Sequence, residues 1–245
     1  MIETYKQLKN DYYLYKDIVA KAAMLNGNRT NSRQMWKNFY RWRNSIKNNV
    51  NSISERMPWM TFEAIDLLKT KLDKNAKVFE YGGGGSTLFF IDRVAELVTV
   101  EHNQTWFEEL KQEIGENKIW KGSYKTPQPI SNFADLSFSN PDHFISGAES
   151  FSNLSFKDYV THIDQFPDNY FDVISIDGRA RPSCIKHAIP KLKKGGWLLL
   201  DNAERDYYNP AIELLKPDAF KSKLSLHSAL IFCQWTTQTR IWEKY

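Results

Sequence analysis

The stretch Lys77-Val78-Phe79-Glu80-Tyr81-Gly82-Gly83-Gly84-Gly85-Ser86-Thr87 constrains this chain more than any other. A short apolar run closes on an acid, four glycines follow, and small hydroxyl residues then open a helix-like segment. Glycines at a strand-to-helix turn let the backbone fold tightly and let a ligand lie against bare main chain. Further along, Leu97-Val98-Thr99-Val100 ends in Glu101. An acid closing the second strand of a doubly wound sheet stands where ribose hydroxyls are gripped. Together the two features describe the nucleoside-binding half of a Rossmann-like sheet. For the glycines by themselves, a flexible loop between strand and helix is the alternative.

Two other glycine-rich motifs do not fit. A P-loop needs Gly-Lys-Ser/Thr at its close, and no lysine precedes Ser86. The nicotinamide fingerprint, Gly-x-Gly-x-x-Gly, fails at its third glycine, where Thr87 stands. The pattern present is acid-x-Gly-x-Gly, with Glu80, Gly82 and Gly84.

Periodicity predicts the remaining elements. Residues 3–25 and 32–48 space large apolar groups as helices do, with a break at Asn26-Gly27-Asn28. A helix over 61–72 leads into the first strand, 77–80, and a helix over 86–93 into the second, 98–101. Trp106, Phe107, Leu110 and Ile114 mark another helix, and Lys118-Ile119-Trp120 a short third strand. An insertion rich in Ser, Asn, Pro and Phe then runs to about Asp158; segments of this length and irregularity are more often functional loops than filler. Order returns with a strand over Phe171 to Ile176 that ends in Asp177. A helix over 183–194 stops at Gly195-Gly196, and a strand over 197–200 ends in Asp201-Asn202. A helix at 211–215 follows, and Leu230 to Phe232 with Thr239 to Trp242 form a closing hairpin. The alternation predicts an α/β fold: a doubly wound, mostly parallel Rossmann-like sheet with an antiparallel C-terminal hairpin. Residues 1–57 form an N-terminal helical extension to a domain over 58–245.

Across residues 58–245 this order of parts resembles the class I S-adenosylmethionine-dependent methyltransferases. Glu80-Tyr81-Gly82-Gly83-Gly84 resembles their first motif, and Glu101 their ribose-binding acid. Phe171-Asp172-Val173-Ile174 resembles their fourth-strand motif. Leu192-Lys193-Lys194-Gly195-Gly196-Trp197 resembles the Gly-Gly lead into their fifth strand, with lysine where proline is usual. The resemblance implies S-adenosylmethionine over Glu80, Gly82, Gly83, Gly84, Glu101 and Asp177, with His102 shaping the site. It also implies an adenine contact at Asp158-Tyr159, for which a plain surface loop is the alternative.

The chain lacks the Asn/Asp-Pro-Pro-Tyr/Phe motif of enzymes that methylate planar nitrogens. Asp177, Asp201 and Asn202 instead resemble the divalent-metal triad of catechol- and macrocin-type O-methyltransferases. Hard oxygen ligands suit Mg²⁺, which would lower the pKa of an acceptor hydroxyl, so Asp177 and Asp201 are the expected catalytic pair. The alternative is that both only cap loops at strand ends. Arg179 and Arg181 stand where a substrate carboxylate or phosphate would be clamped; otherwise they are solvated, or pair with Glu204 or Asp206.

Composition narrows the partners. The net charge of +4 is too small to call for nucleic acid by itself, although arginines interleaved with Trp36, Phe39, Tyr40 and Trp42 between Arg29 and Lys47 invite that reading. A lid over the acceptor or a dimer contact is the preferred role for that segment. Cys184 and Cys233 are too few for a disulfide framework and read as core. No run is apolar enough for a membrane span and the first residues do not begin a signal peptide, so a cytoplasmic protein is expected. The expected function is methylation of a small-molecule or saccharide hydroxyl. The alternatives are an RNA or protein methyltransferase, and a non-catalytic nucleoside-binding module.

Overall fold

The computed structural model describes residues 2–27, 32–47, 50–131 and 133–245. Arg29, at the head of the basic aromatic stretch, and Asn48, at the end of the second helix-like segment, lie outside the described residues. The chain opens with helices α1 (Ile2–Leu25), α2 (Ser32–Trp36), α3 (Phe39–Ser45) and α4 (Phe62–Lys71). Strand β1 (Lys77–Tyr81), helix α5 (Gly85–Ile91), strand β2 (Glu96–Glu101), helix α6 (Gln104–Ile114) and strand β3 (Trp120–Tyr124) follow. The insertion contributes the two-residue strands β4 (Gln128–Pro129) and β5 (Leu154–Ser155), paired with each other, and leads into α7 (Lys157–Val160). Strand β6 (Phe171–Ile176), helix α8 (Arg181–Lys191), strand β7 (Leu192–Leu200) and helix α9 (Asn209–Ile212) precede the hairpin of β8 (Phe220–Ala229) and β9 (Thr236–Lys244).

The main sheet has seven strands in the order β3-β2-β1-β6-β7-β9-β8. All neighbours from β3 to β7 run parallel, and β9 pairs antiparallel with both β7 and β8. The strand order reverses between β1 and β6, so the carboxyl ends of those two strands flank the crevice where ligands bind in open α/β sheets. Strand residues alternate between the two faces, as the pleat requires. Val78, Leu97, Val173 and Leu199 pack on one face, and Phe79, Val98, Ile174 and Leu198 on the other.

The N-terminal helices cover the first of these faces. Tyr15, Ile18, Val19 and Ala22 of α1, Met35 of α2 and Phe39 and Trp42 of α3 share one continuous core with α4, α5 and the sheet. Trp42 is fully buried, its Nε1 donates to the Cys233 carbonyl at 2.6 Å, and its ring lies 4.9 Å from that of Tyr15. The cations of the stretch are also engaged at home. Arg41 makes a two-pronged pair with Asp66, and Arg43 pairs with Asp11 at 2.6 Å. The single helix expected over 32–48 is two short ones, broken where Lys37 and Asn38 turn back onto Gln34 and Met35.

Two further boundaries differ from expectation. The helix after β6 ends at Lys191, three residues early, because Leu192 already pairs with Phe171 in β7 and Gly195 adopts φ +71° inside that strand. The first arm of the hairpin is Phe220–Ala229, not Leu230 to Phe232, which lie in the turn region. That arm is a sheet edge carrying Lys221 and Lys223, and charged edges of this kind lack the apolar run by which a strand is recognised. Both cysteines are free and buried. Among the described residues no helix is long and apolar enough to cross a membrane.

Truncating Trp42 removes a buried indole and leaves the Cys233 carbonyl unpaired. Trp42→Ala should therefore lower unfolding free energy by about 3–5 kcal/mol in urea titrations. A loss below about 1 kcal/mol would mean that the N-terminal helices are peripheral to the core.

Candidate active site at the carboxyl edge of the sheet

Parallel register builds the floor of the site. It sets Glu80 beside Thr99 on one flank and Ser175 on the other. The Glu80 carboxylate is wholly enclosed and accepts from Ser86 Oγ, from Thr87 Oγ1 at 2.6 Å and from Thr99 Oγ1 at 3.0 Å. Thr87 Oγ1 in turn accepts the Gly84 N–H at 2.9 Å, so the acid fixes the glycine turn from below. Burial pushes the Glu80 carboxyl up to about 7, against the pull of its three hydroxyl partners. Glu80 thus sits beneath the cleft and supports the turn rather than opening onto it.

Above it, Gly82 adopts φ +88°, and a Cβ there would lie 2.9 Å from the Gly178 Cα. The turn after β1 and the turn after β6 touch backbone to backbone, which only glycine permits at this point. A Cβ on Gly83 would press on Leu110 and Thr99, whereas one on Gly84 would meet Trp106 only at ordinary contact distance. Trp106 Nε1 donates to the Gly83 carbonyl at 2.7 Å and holds the turn from the α6 side. The start of α5 is pinned by Ser52 and Met57, whose carbonyls face Gly85.

Glu101 closes β2 next to this turn. Its Oε2 accepts the Gly83 N–H at 2.9 Å. Its Oε1 accepts the N–H groups of His102 at 2.7 Å and Asn103 at 2.8 Å, and lies 2.8 Å from His102 Nδ1. Burial raises the Glu101 carboxyl, but the His102 ring and the backbone donors outweigh it and hold the group below its ordinary value. It is a fixed anion, with Oε1 saturated and Oε2 keeping one lone pair for a further donor. His102 packs edge-on to Phe151, Phe156 and Tyr159. Tyr159 is buried, its hydroxyl held against Gly178, while Asp158 is exposed on the first turn of α7.

The other half of the site stands at the ends of β6 and β7. Arg181 is buried, and each of its three guanidinium nitrogens makes a hydrogen bond. Nε donates to the Gly178 carbonyl at 3.0 Å, Nη1 to the Asp201 carbonyl, and Nη2 to Asp177 Oδ1 at 2.9 Å. Asp201 is 2 % exposed and accepts from Thr239 Oγ1 at 2.7 Å. Burial, and then the charge of Asp177, push Asp201 up to about 8; burial raises Asp177 too, against the pull of Arg181 and Arg179. Ala180 (φ +47°) and Asn202 (φ +47°) both take left-handed backbone here, a strain that clusters at functional turns.

This arrangement gives the expected triad and arginine pair a definite geometry. Asp177 Oδ1 takes the Arg181 guanidinium as its cation, whereas Arg181 meets Asp201 at its backbone carbonyl, and burial with the charge of Asp177 favours the protonated Asp201 carboxyl. The Asn202 amide nitrogen donates to Thr237 Oγ1 at 3.0 Å, and its Oδ1 faces Arg205 Nη2 at 3.5 Å. Among the described residues no cluster of three or more His, Cys, Asp or Glu has the form of a metal site. Arg181 ties the two turns together with three of its five N–H donors and also lines the adjoining cavity.

Beside Arg181 opens a cavity of about 250 Å³. Gly178 to Pro182 form one wall; Arg205, Tyr207 and Tyr208 form the second; Phe138 and Ile145 to Ala148 of the insertion form the third. The insertion is anchored by Asp142 on Lys186, by Ser183 Oγ accepting the Phe144 N–H at 3.2 Å, and by Phe138 edge-on to Tyr207 at 4.9 Å. None of the described residues within 2–57 lines this cavity. Arg205 belongs to the Asp-Asn-x-Glu-Arg pattern after the fifth parallel strand, and that pattern is the sequence signal for it.

Glu80 and Asp201 keep protons in the folded chain that the unfolded chain releases near pH 4. Their contribution to stability is complete below that pH and is lost as pH rises through about 7 and about 8. Urea midpoints should fall from about pH 4 to about pH 8 and level off above, and Asp201→Asn should flatten that slope, above pH 7 most of all. Equal slopes in both proteins would mean that Asp201 is ionised throughout.

Neither a family model nor a curated protein matches this chain in sequence. Solved structures do match its fold. A Streptococcus mutans protein described as a methyltransferase, in complex with SAH, aligns with a TM-score of 0.51 at 12% identity, over 77% of this chain and 100% of its own. Aquifex aeolicus tRNA (m1A58) methyltransferase TrmI aligns at 0.46 and 12% identity, over 80% of this chain and 77% of that one. Aeropyrum pernix fibrillarin with natively bound S-adenosyl-L-methionine aligns at 0.45 and 12% identity, over 72% and 71%. At such identities the likeness is one of architecture, and the S. mutans protein carries it: this chain has the fold of the class I S-adenosylmethionine-dependent methyltransferases.

Proposed function

We propose that the chain is an S-adenosylmethionine-dependent methyltransferase that methylates a hydroxyl of a small-molecule or saccharide acceptor. The observation that carries the reading is the juxtaposition of a bare glycine turn and a fixed anion, Glu101, with the Asp177 carboxylate one strand away at the same sheet edge. The glycine turn admits a nucleoside against its backbone, and the free lone pair on Glu101 Oε2 suits a ribose hydroxyl. His102, edge-on to Phe151, closes the same end of the cleft. The cofactor would supply a methyl group on a sulfonium, which an oxygen nucleophile displaces in line.

The residues of the chain then have separate tasks. Asp177, a quarter exposed, is the carboxylate open to an acceptor, and it takes the hydroxyl proton as general base. Arg181 orients it through Nη2, and Asp201, protonated and bonded to Thr239, adds no second negative charge. A raised carboxyl serves this role better than an ordinary one, because base strength rises with pKa.

Glu101→Gln replaces the anion while keeping its shape. One hydrogen bond to a charged group is worth about 1.5–3 kcal/mol, so calorimetry should show S-adenosylhomocysteine binding weakened about ten- to a hundredfold. An unchanged dissociation constant would remove the cofactor assignment. Turnover should persist in excess EDTA, since Arg181 fills the cation's place, and Asp177→Asn should lower kcat by about 10²–10⁴-fold. Activity that vanishes in chelator and returns with Mg²⁺ would reinstate the metal triad.

A further inference from the structure

We propose that the cavity beside Asp177 takes an acceptor carrying a carboxylate or phosphate, held by Arg205 and Arg179. This deepens the methyltransferase reading and rests on it for the word acceptor. The cavity lining is cationic and its cations differ in how they are satisfied. Arg181 is tied to two carbonyls and Asp177. Arg205 reaches only neutral groups, with Nη1 donating to the hydroxyls of Tyr207 at 3.2 Å and Tyr208 at 3.1 Å, and Nη2 to Asn202 Oδ1 at 3.5 Å. Arg179 lies over the Phe151 ring at 5.2 Å, and its Nε is buried without a hydrogen-bond partner. Among the described residues neither Arg179 nor Arg205 has a carboxylate within ion-pair distance.

The acids that stand near are turned elsewhere. Glu204 accepts from Thr237 Oγ1 at 3.1 Å and from the Gln238 N–H at 3.0 Å, which directs it to the hairpin. Asp142 pairs with Lys186, and Asp177 with Arg181. Two guanidinium groups without acidic partners on one small cavity make a field that an anion enters and a cation avoids. A planar fork suits carboxylate and phosphate oxygens, and a desolvated Nε such as that of Arg179 has most to gain from one. Ser146 and the backbone of Gly147 and Ala148, on the insertion side, add polar groups to the same lining. The size, about 250 Å³, fits a compact acceptor of about one sugar ring and its charged substituent.

The test is calorimetric titration of the full chain, free and saturated with S-adenosylhomocysteine, with D-glucuronate, D-glucose 6-phosphate and D-glucose. At least one charged sugar should bind tenfold or more tightly than glucose; comparison of the two separates carboxylate from phosphate recognition. Arg205→Gln with Arg179→Gln should abolish that preference while S-adenosylhomocysteine affinity stays within threefold and the thermal midpoint holds. Arg205→Lys should restore part of it, which a packing role would not. Glucose binding as tightly as both charged sugars, or a preference that survives in the double variant, would overturn the proposal. S-adenosylhomocysteine failing to bind the unaltered chain would sink the methyltransferase reading alone, since the anion titrations on the free protein stand by themselves.

Discussion

A single guanidinium organises the β6–β7 end of the candidate site. Arg181 leaves the first turn of α8 and donates to the backbone at the ends of two neighbouring strands, β6 and β7, as well as to Asp177. A buried guanidinium has five donors and no way to shed its charge, so it survives burial only where acceptors are fixed around it. Here two backbone carbonyls and a carboxylate take three of those donors. Removing Arg181 would break the buried ion pair of Asp177 and free both turns, a loss of the kind that costs about 3–5 kcal/mol. The left-handed backbone at Ala180 and Asn202 is held in place by the same tie.

Glu80 has the matching role in the nucleoside half. It binds three hydroxyls, each from a different position on the glycine turn, its helix or the next strand. Through Thr87 the chain of bonds reaches the Gly84 N–H, and through Thr99 it reaches Trp120 Nε1 at 3.1 Å. The turn is therefore set before any ligand arrives, which lowers the entropy cost of binding. With Gly82 against Gly178, the two halves of the site meet at a backbone contact that leaves no room for either to shift alone.

Much of this was legible in the residues, and the limits have physical causes. Strands β1, β2, β6 and β7 announce themselves because parallel strands covered on both faces are continuous apolar runs. Strand β8 does not, since an edge strand is free to carry Lys221, Lys223 and serines. Acids at strand ends mark the site, but not their partners: nothing in the spacing of Asp177, Arg179 and Arg181 says which arginine turns inward. Strand-end geometry decides it, sending Arg181 under the sheet edge and Arg179 onto Phe151. The role of Glu80 was hidden for a similar reason, because the pleat points it away from the cleft and toward Thr99. One wall of the cavity comes from Phe138 and Ile145 to Ala148, in an insertion without periodicity, where no sequence pattern fixes which side chain faces inward.

The two halves also divide by charge, and the division runs along the strand order. The nucleoside side presents Glu101, an anion pinned by backbone donors. The cavity side presents Arg179 and Arg205. Between them, Asp177 and Arg181 cancel, and Asp201 is neutral because it keeps its proton. In the proposed reaction a positive sulfonium is consumed, so a second anion at the centre would stabilise the reactant more than the transition state and slow the step. A centre that is nearly neutral avoids this penalty. It still leaves Asp177 one carboxylate oxygen that Arg181 does not engage, and that oxygen is where the acceptor's proton has to go.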